Sequence, residues 1–126
     1  MVAIGIAVAT VVSFLASAAL YAIPPVSRLI ARESTPRPGV SIVMQMATVV
    51  LRSLLMAGLL AGLMVAGNWH GAAAGAVLGV ALITVPAVLL FGSVIHEGTL
   101  IRVAAVHFTD WAFKLVIIGA LVGLFI

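Results

Sequence analysis

The chain has 126 residues, 65% of them hydrophobic and 7% charged, with a mean hydropathy of +1.41. A water-soluble domain this small must clothe itself in polar groups, and six basic plus three acidic residues cannot do so, which excludes a soluble enzyme and a disordered tail. The net charge of +3 comes with no basic patch and no interleaved aromatics, so no nucleic-acid partner is expected, and the absence of cysteine excludes disulfides and thiol chemistry.

Four stretches reach the ~20 apolar residues that a spanning helix needs: residues 2–23, 40–67, 71–95 and 100–126. Lipid offers no partner to backbone groups and the alternation of a barrel strand is absent, so these are helices. The first is read as a retained helix rather than a signal peptide: Ala16-Ser17-Ala18 resembles a cleavage site, but no Lys or Arg precedes it. Pro24-Pro25 ends it. Residues 24–39 then read as a basic loop with a rigid break at Thr35-Pro36-Arg37-Pro38-Gly39. Gly67-Asn68-Trp69-His70-Gly71 is a tight turn with an interfacial Trp. His96-Glu97-Gly98-Thr99 is a second, with Thr99 placed to cap the last helix. Turns this short make neighbours antiparallel. The expected fold is an all-α integral membrane protein, an antiparallel four-helix transmembrane bundle in a single domain. Arg28, Arg32, Arg37 and Arg102 all fall on one side, and the opposite turn has no Lys or Arg. The positive-inside rule makes the Arg side cytoplasmic and puts both termini outside.

Charges within a span are costly and therefore informative. There are three: Arg52, Asp110 and Lys114. Arg52 lies about 18 Å into the second stretch and Asp110 about 15 Å into the fourth, counted from the cytoplasmic ends at ~1.5 Å per residue. The similar depth predicts an Arg52–Asp110 ion pair, with Lys114 sharing the carboxylate at i+4 or snorkelling. Neutral polar residues recur at helical spacing: Thr10, Ser13, Ser17 and Tyr21 on the first helix, and Ser41, Gln45, Thr48 and Arg52 on the second. His107, Asp110 and Lys114 make a third row, with Trp111 beside it. Each row is expected to face protein rather than lipid. For Ser and Thr, interhelical bonding is the favoured role; for Arg52 and Asp110, structural pairing and function weigh about equally. His107 reads as a hydrogen-bonded polar residue, with proton response as the alternative. The histidines have no ligand spacing, so neither a metal nor a cofactor is expected. Gly58/Gly62, Gly71/Gly75/Gly79 and Gly119/Gly123 are GxxxG pairs, read first as packing within the bundle. Pro86 marks a kink in the third span.

Trp69-His70-Gly71-Ala72-Ala73-Ala74-Gly75, Pro86, Leu90-Phe91, Glu97-Gly98 and Ile118-Gly119-Ala120-Leu121-Val122-Gly123 together resemble a family of small bacterial four-span membrane proteins known only as a domain of unknown function. The resemblance covers about the last 60 residues; the Trp usual at the end of that family's first helix is missing. It implies a four-helix fold in a bacterial inner membrane and implies no activity.

Three functions compete. The first is a non-catalytic multi-pass subunit that packs against a larger membrane complex, for example a transporter, or against itself. Its partners would be lipid and other membrane subunits. The alternative is a small homo-oligomeric transporter or channel using the Arg52, Asp110 and Lys114 seam. An intramembrane enzyme ranks lowest, because Ser13 or Ser17 would have to meet His107 and nothing in the spacing brings them together.

Overall fold

In the computed structural model, which describes residues 1–126, an unbroken apolar run makes α1 (Val2–Ala22). It stops at Ile23, which is extended (φ −61°, ψ 124°) as the residue before a proline must be. The segment expected to be a loop then departs from expectation. Residues 24–33 form a second helix, α2 (Pro24–Glu33). Its Pro24-Pro25 start both breaks α1 and seeds α2: proline's φ suits the first helical turn, where a missing N–H costs nothing. α2 is amphipathic. Val26, Leu29 and Ile30 are half-buried while Arg28 and Arg32 are exposed, and the helix lies against α1 and α6. Irregular chain is limited to residues 34–41. Ser41 closes it by accepting a hydrogen bond from the Met44 N–H (3.1 Å) as N-cap of α3 (Ile42–Ala66).

The turn after α3 uses Asn68 at φ 53°, a left-handed conformation that Asn tolerates. Trp69 folds back over Gly67, where a Cβ would stand 2.8 Å from the indole. Gly71, at φ +89°, opens the third span. That span is broken into α4 (Gly71–Leu82) and α5 (Thr84–Glu97) at Ile83. Pro86 explains the break: it lacks an N–H and its ring would strike the Leu82 carbonyl one turn back. The chain tightens with Ile83 N–H to Val80 O (3.1 Å) and resumes with Ala87 N–H to Ile83 O (3.1 Å). Gly98, left-handed at φ +70°, ends α5. Thr99 does not cap the next helix. Its hydroxyl is engaged by Ser93, and Leu100 precedes α6 (Ile101–Gly123) with no side-chain cap.

The chain is all-helical. Four of its segments are long and apolar enough to cross a membrane: Val2–Ala22, Ile42–Ala66, Gly71–Glu97 and Ile101–Gly123. α6 touches every other helix and holds the most buried residues. Its largest contact is with α4, and glycine makes that contact possible. Gly75 lies on the Gly119 carbonyl, Gly79 on that of Leu115, and Gly123 on that of Gly71, so that a Cβ at any of the three would collide with backbone. Lipid provides no hydrophobic drive between helices, and small residues replace it with close backbone packing. Beside this seam, Ala9, Ala57, Leu60, Ala61, Met64, Leu115, Ile118 and Val122 form an apolar core of α1, α3 and α6.

Gly58 and Gly62 do not join this packing. Both are exposed, and nothing lies within 4 Å of where their Cβ atoms would be. GxxxG fixes a spacing and not a direction. α3 turns Ser53, Ala57, Leu60, Ala61 and Met64 inward, and each glycine sits one position, or 100°, past an inward alanine.

Candidate functional site

The half of the molecule nearest α2 is not sealed. A cleft of about 680 Å³ lies between α1, α3, α5 and α6. Its polar walls are Arg52 of α3, His107, Asp110 and Lys114 of α6, and Ser17 and Tyr21 of α1; the α1 row does face protein, with Thr10, Ser13 and Ser17 buried. Thr10 and Ser13 give their hydroxyls back to α1 itself, to Ile6 O (2.7 Å) and Thr10 O (3.1 Å). Ser17 and Tyr21 instead cross to α6. Ser17 donates to Asp110 Oδ1 (2.6 Å), and Tyr21 shares a hydrogen bond with His107 Nδ1 (2.7 Å).

Asp110 and Lys114 are 5% and 2% exposed. Lys114 Nζ lies 3.5 Å from Asp110 Oδ2, one turn apart on α6. Both carboxylate oxygens are therefore occupied, by Ser17 and by Lys114.

The expected Arg52–Asp110 ion pair does not form. Arg52 is exposed on the flank of α3, and its guanidinium stands 4.9 Å from the centroid of the Trp111 ring. Lys114 Nζ is 4.5 Å from the same ring. One indole thus faces two cations, an electrostatically favourable arrangement for each. Depth along the helices placed Arg52 and Asp110 at one level, but rotation about α3 put the inward position at Ser53. The rest of the α3 row faces out with Arg52. Thr48 is exposed and bonds back to Met44 O (2.8 Å), and Gln45 is half-exposed.

Ser53 is the residue that polar spacing missed. It is fully buried, and its hydroxyl has no partner. The signal lay in its own row, since Ser53, Ala57, Ala61 and Met64 recur at intervals of four, four and three. Trp111, noted only as a neighbour of the charges, is the surface on which two of them meet.

The cleft is bounded towards the core by packed helices and continues the other way. A second cavity of about 580 Å³, reaching Glu33, Ser34 and Thr35, shares Leu90 and His107 as walls with the first. Ser13 and Ser17 are committed to Thr10 and Asp110, so neither is bonded to His107. His70 is far off in the α3–α4 turn, on Ile126 O (2.9 Å) and Asn68 (3.0 Å). No three His, Asp or Glu side chains gather as metal ligands would.

Chemically, the arrangement is a charged recess in an apolar wall. It has hydroxyl, imidazole and indole groups at hand. No curated protein and no solved structure matches this chain. The model of one family does, over residues 4–123 and so well beyond the last 60 residues. That reach takes in the cleft residues of α1, α3 and α6 alike, and the chain belongs to that family, described as protein of unknown function (DUF1761).

Proposed function

We propose that the protein is a small, non-catalytic, multi-pass membrane carrier that works as a homo-oligomer and uses the Arg52, Asp110 and Lys114 cleft as its ligand site. The observation that supports it is a charged cavity in one half of the helix cluster, with the packed apolar core of α1, α3 and α6 around Ala57, Leu60, Leu115 and Ile118 filling the other half. A recess open towards one side and closed towards the other is what one state of an alternating-access cycle looks like. Intramembrane charges that are not all neutralised mark such pathways by default. In this reading the helices run up and down as an antiparallel bundle in a bacterial inner membrane. Arg28, Arg32, Arg37 and Arg102 hold the α2 end on the cytoplasmic side, and both termini lie outside.

Reconstitution on a solid-supported membrane tests it. Pulses of inorganic and organic anions, and pH steps, are expected to evoke a transient current in the wild type that Arg52→Gln abolishes. Silence under every pulse, from protein that retains its helicity, removes the carrier.

A second reading has its own observation. Gly58 and Gly62 leave an unfilled notch on the outer face of α3, shaped for close approach of another helix. There the protein would be a subunit docked on a larger membrane assembly or on a second copy of itself.

A further inference from the structure

We propose that the cleft binds a singly charged amphipathic anion, with its headgroup between Arg52 and Lys114 over Trp111 and its apolar tail along the flank of α3. The proposal rests on the cleft being a ligand site and not on transport.

The charge follows from a count. The chain has three acidic residues. Glu33 and Glu97 are exposed, and Glu33 is held by Arg32 (3.4 Å). Only Asp110 reaches the cleft, and its oxygens are taken by Lys114 and Ser17. Arg52 therefore has no acid in its own chain, and the cleft carries one positive charge in excess. It lies ten residues, about 15 Å, along α3 from Ile42, where a spanning segment is surrounded by hydrocarbon. A cation there needs a counter-charge, and the neutral Trp111 face offsets only part of that need. A single negative charge balances the site; a dianion overshoots it.

The tail follows from the walls. Phe14, Ala18, Met46, Val49 and Leu90 line the cleft alongside the charges. Its 680 Å³ falls within the roughly 300–1,000 Å³ of small-molecule sites, far more than a lone inorganic ion fills. Arg52 stands exposed at the α3 flank, so the ligand enters sideways from the bilayer. Both a free fatty carboxylate and an anionic phospholipid present this chemistry.

Trp111 reports on the site directly. In a Trp69→Phe background it is the sole tryptophan, since the chain has only two. The full chain in phosphatidylcholine nanodiscs is titrated with a dibrominated alkyl sulfonate, which quenches indole on contact, and with the dibrominated alcohol of equal length. The sulfonate is expected to quench Trp111 saturably, at mole fractions about tenfold below the alcohol, as a charge-assisted contact requires. Arg52→Gln should erase that difference and Arg52→Lys retain most of it; Arg52 is exposed, so neither variant disturbs the core. Reversal by phosphatidylglycerol identifies a phospholipid as the natural occupant, and reversal by oleate alone a free carboxylate. Equal quenching by sulfonate and alcohol, or quenching untouched by Arg52→Gln, overturns the proposal. Binding without current in the reconstituted membrane defeats the carrier and leaves this site standing; current without selective quenching does the reverse.

Discussion

Asp110 is the residue on which the polar half of the molecule is organised, and its partner is a testable matter of geometry. Lys114 is on the same helix and nearly inaccessible, while Arg52 is exposed across the cleft. Removing one member of a buried pair strands the other and costs about 3 kcal/mol. Asp110→Asn should therefore lower unfolding stability by about that much, measured by denaturation in mixed micelles, and Lys114→Met added to it should recover part of the loss. Arg52→Gln should leave stability within about 0.5 kcal/mol of wild type, as substitutions away from buried contacts do. An Arg52→Gln loss as large as that of Asp110→Asn would mean that Arg52 is the true partner. The three charges, the α1 hydroxyl row and His107 were legible from spacing alone, because intramembrane polar residues stand out against an apolar background. Which of Arg52 and Ser53 faces inward was not. Period fixes which residues share a face, and only packing against the other helices decides where that face points.

At the scale of the element, the same limit separates the glycines. Gly75, Gly79, Gly119 and Gly123 interlock α4 with α6, Gly71 taking part through its carbonyl, whereas a Cβ at Gly58 or Gly62 would meet nothing within 4 Å, though all read alike as GxxxG. Gly75→Ala drives a methyl into the Gly119 backbone. Backbone cannot rotate out of the way as a side chain can, so the overpacking cost should reach the upper end of ~1–3 kcal/mol. Gly58→Ala meets open space, and at an exposed helical site alanine should stabilise by about 0.5–1 kcal/mol. Opposite signs in one denaturation experiment would establish that α4 and α6 are the locked pair; equal losses would contradict the packing described. α2 shows a different limit. Pro24-Pro25 was correctly legible as the end of α1, but proline also starts helices, and Val26, Leu29 and Ile30 supply the apolar face that keeps residues 24–33 folded along the bundle. Pro86 as a kink was legible, since its consequence is local and needs no partner.

For the whole molecule, four spanning-length helices followed from composition and run length, where the physics of lipid leaves few choices. The arrangement of those helices was less accessible. With one nearly uniform hydrophobicity, no face announces itself as the core, so the central place of α6 emerges only from where small residues allow approach. That same uniformity leaves the outer face of α3 free for lipid or for another helix, and a chain without cysteine makes the distinction measurable. A single cysteine introduced at Gly62 should form a disulfide-linked dimer under mild oxidation in native membranes if α3 meets a second copy there, because helices joined through small residues bring their backbones close and a disulfide requires Cα atoms within about 7 Å. Val77→Cys, on the exposed face of α4, should not, and it controls for random collision. A cross-link to a different polypeptide at Gly62 would instead favour the accessory-subunit reading. Cysteines at both positions that remain monomeric would leave the α3 notch to lipid, and the cleft around Trp111 would then have to act within one copy of the chain.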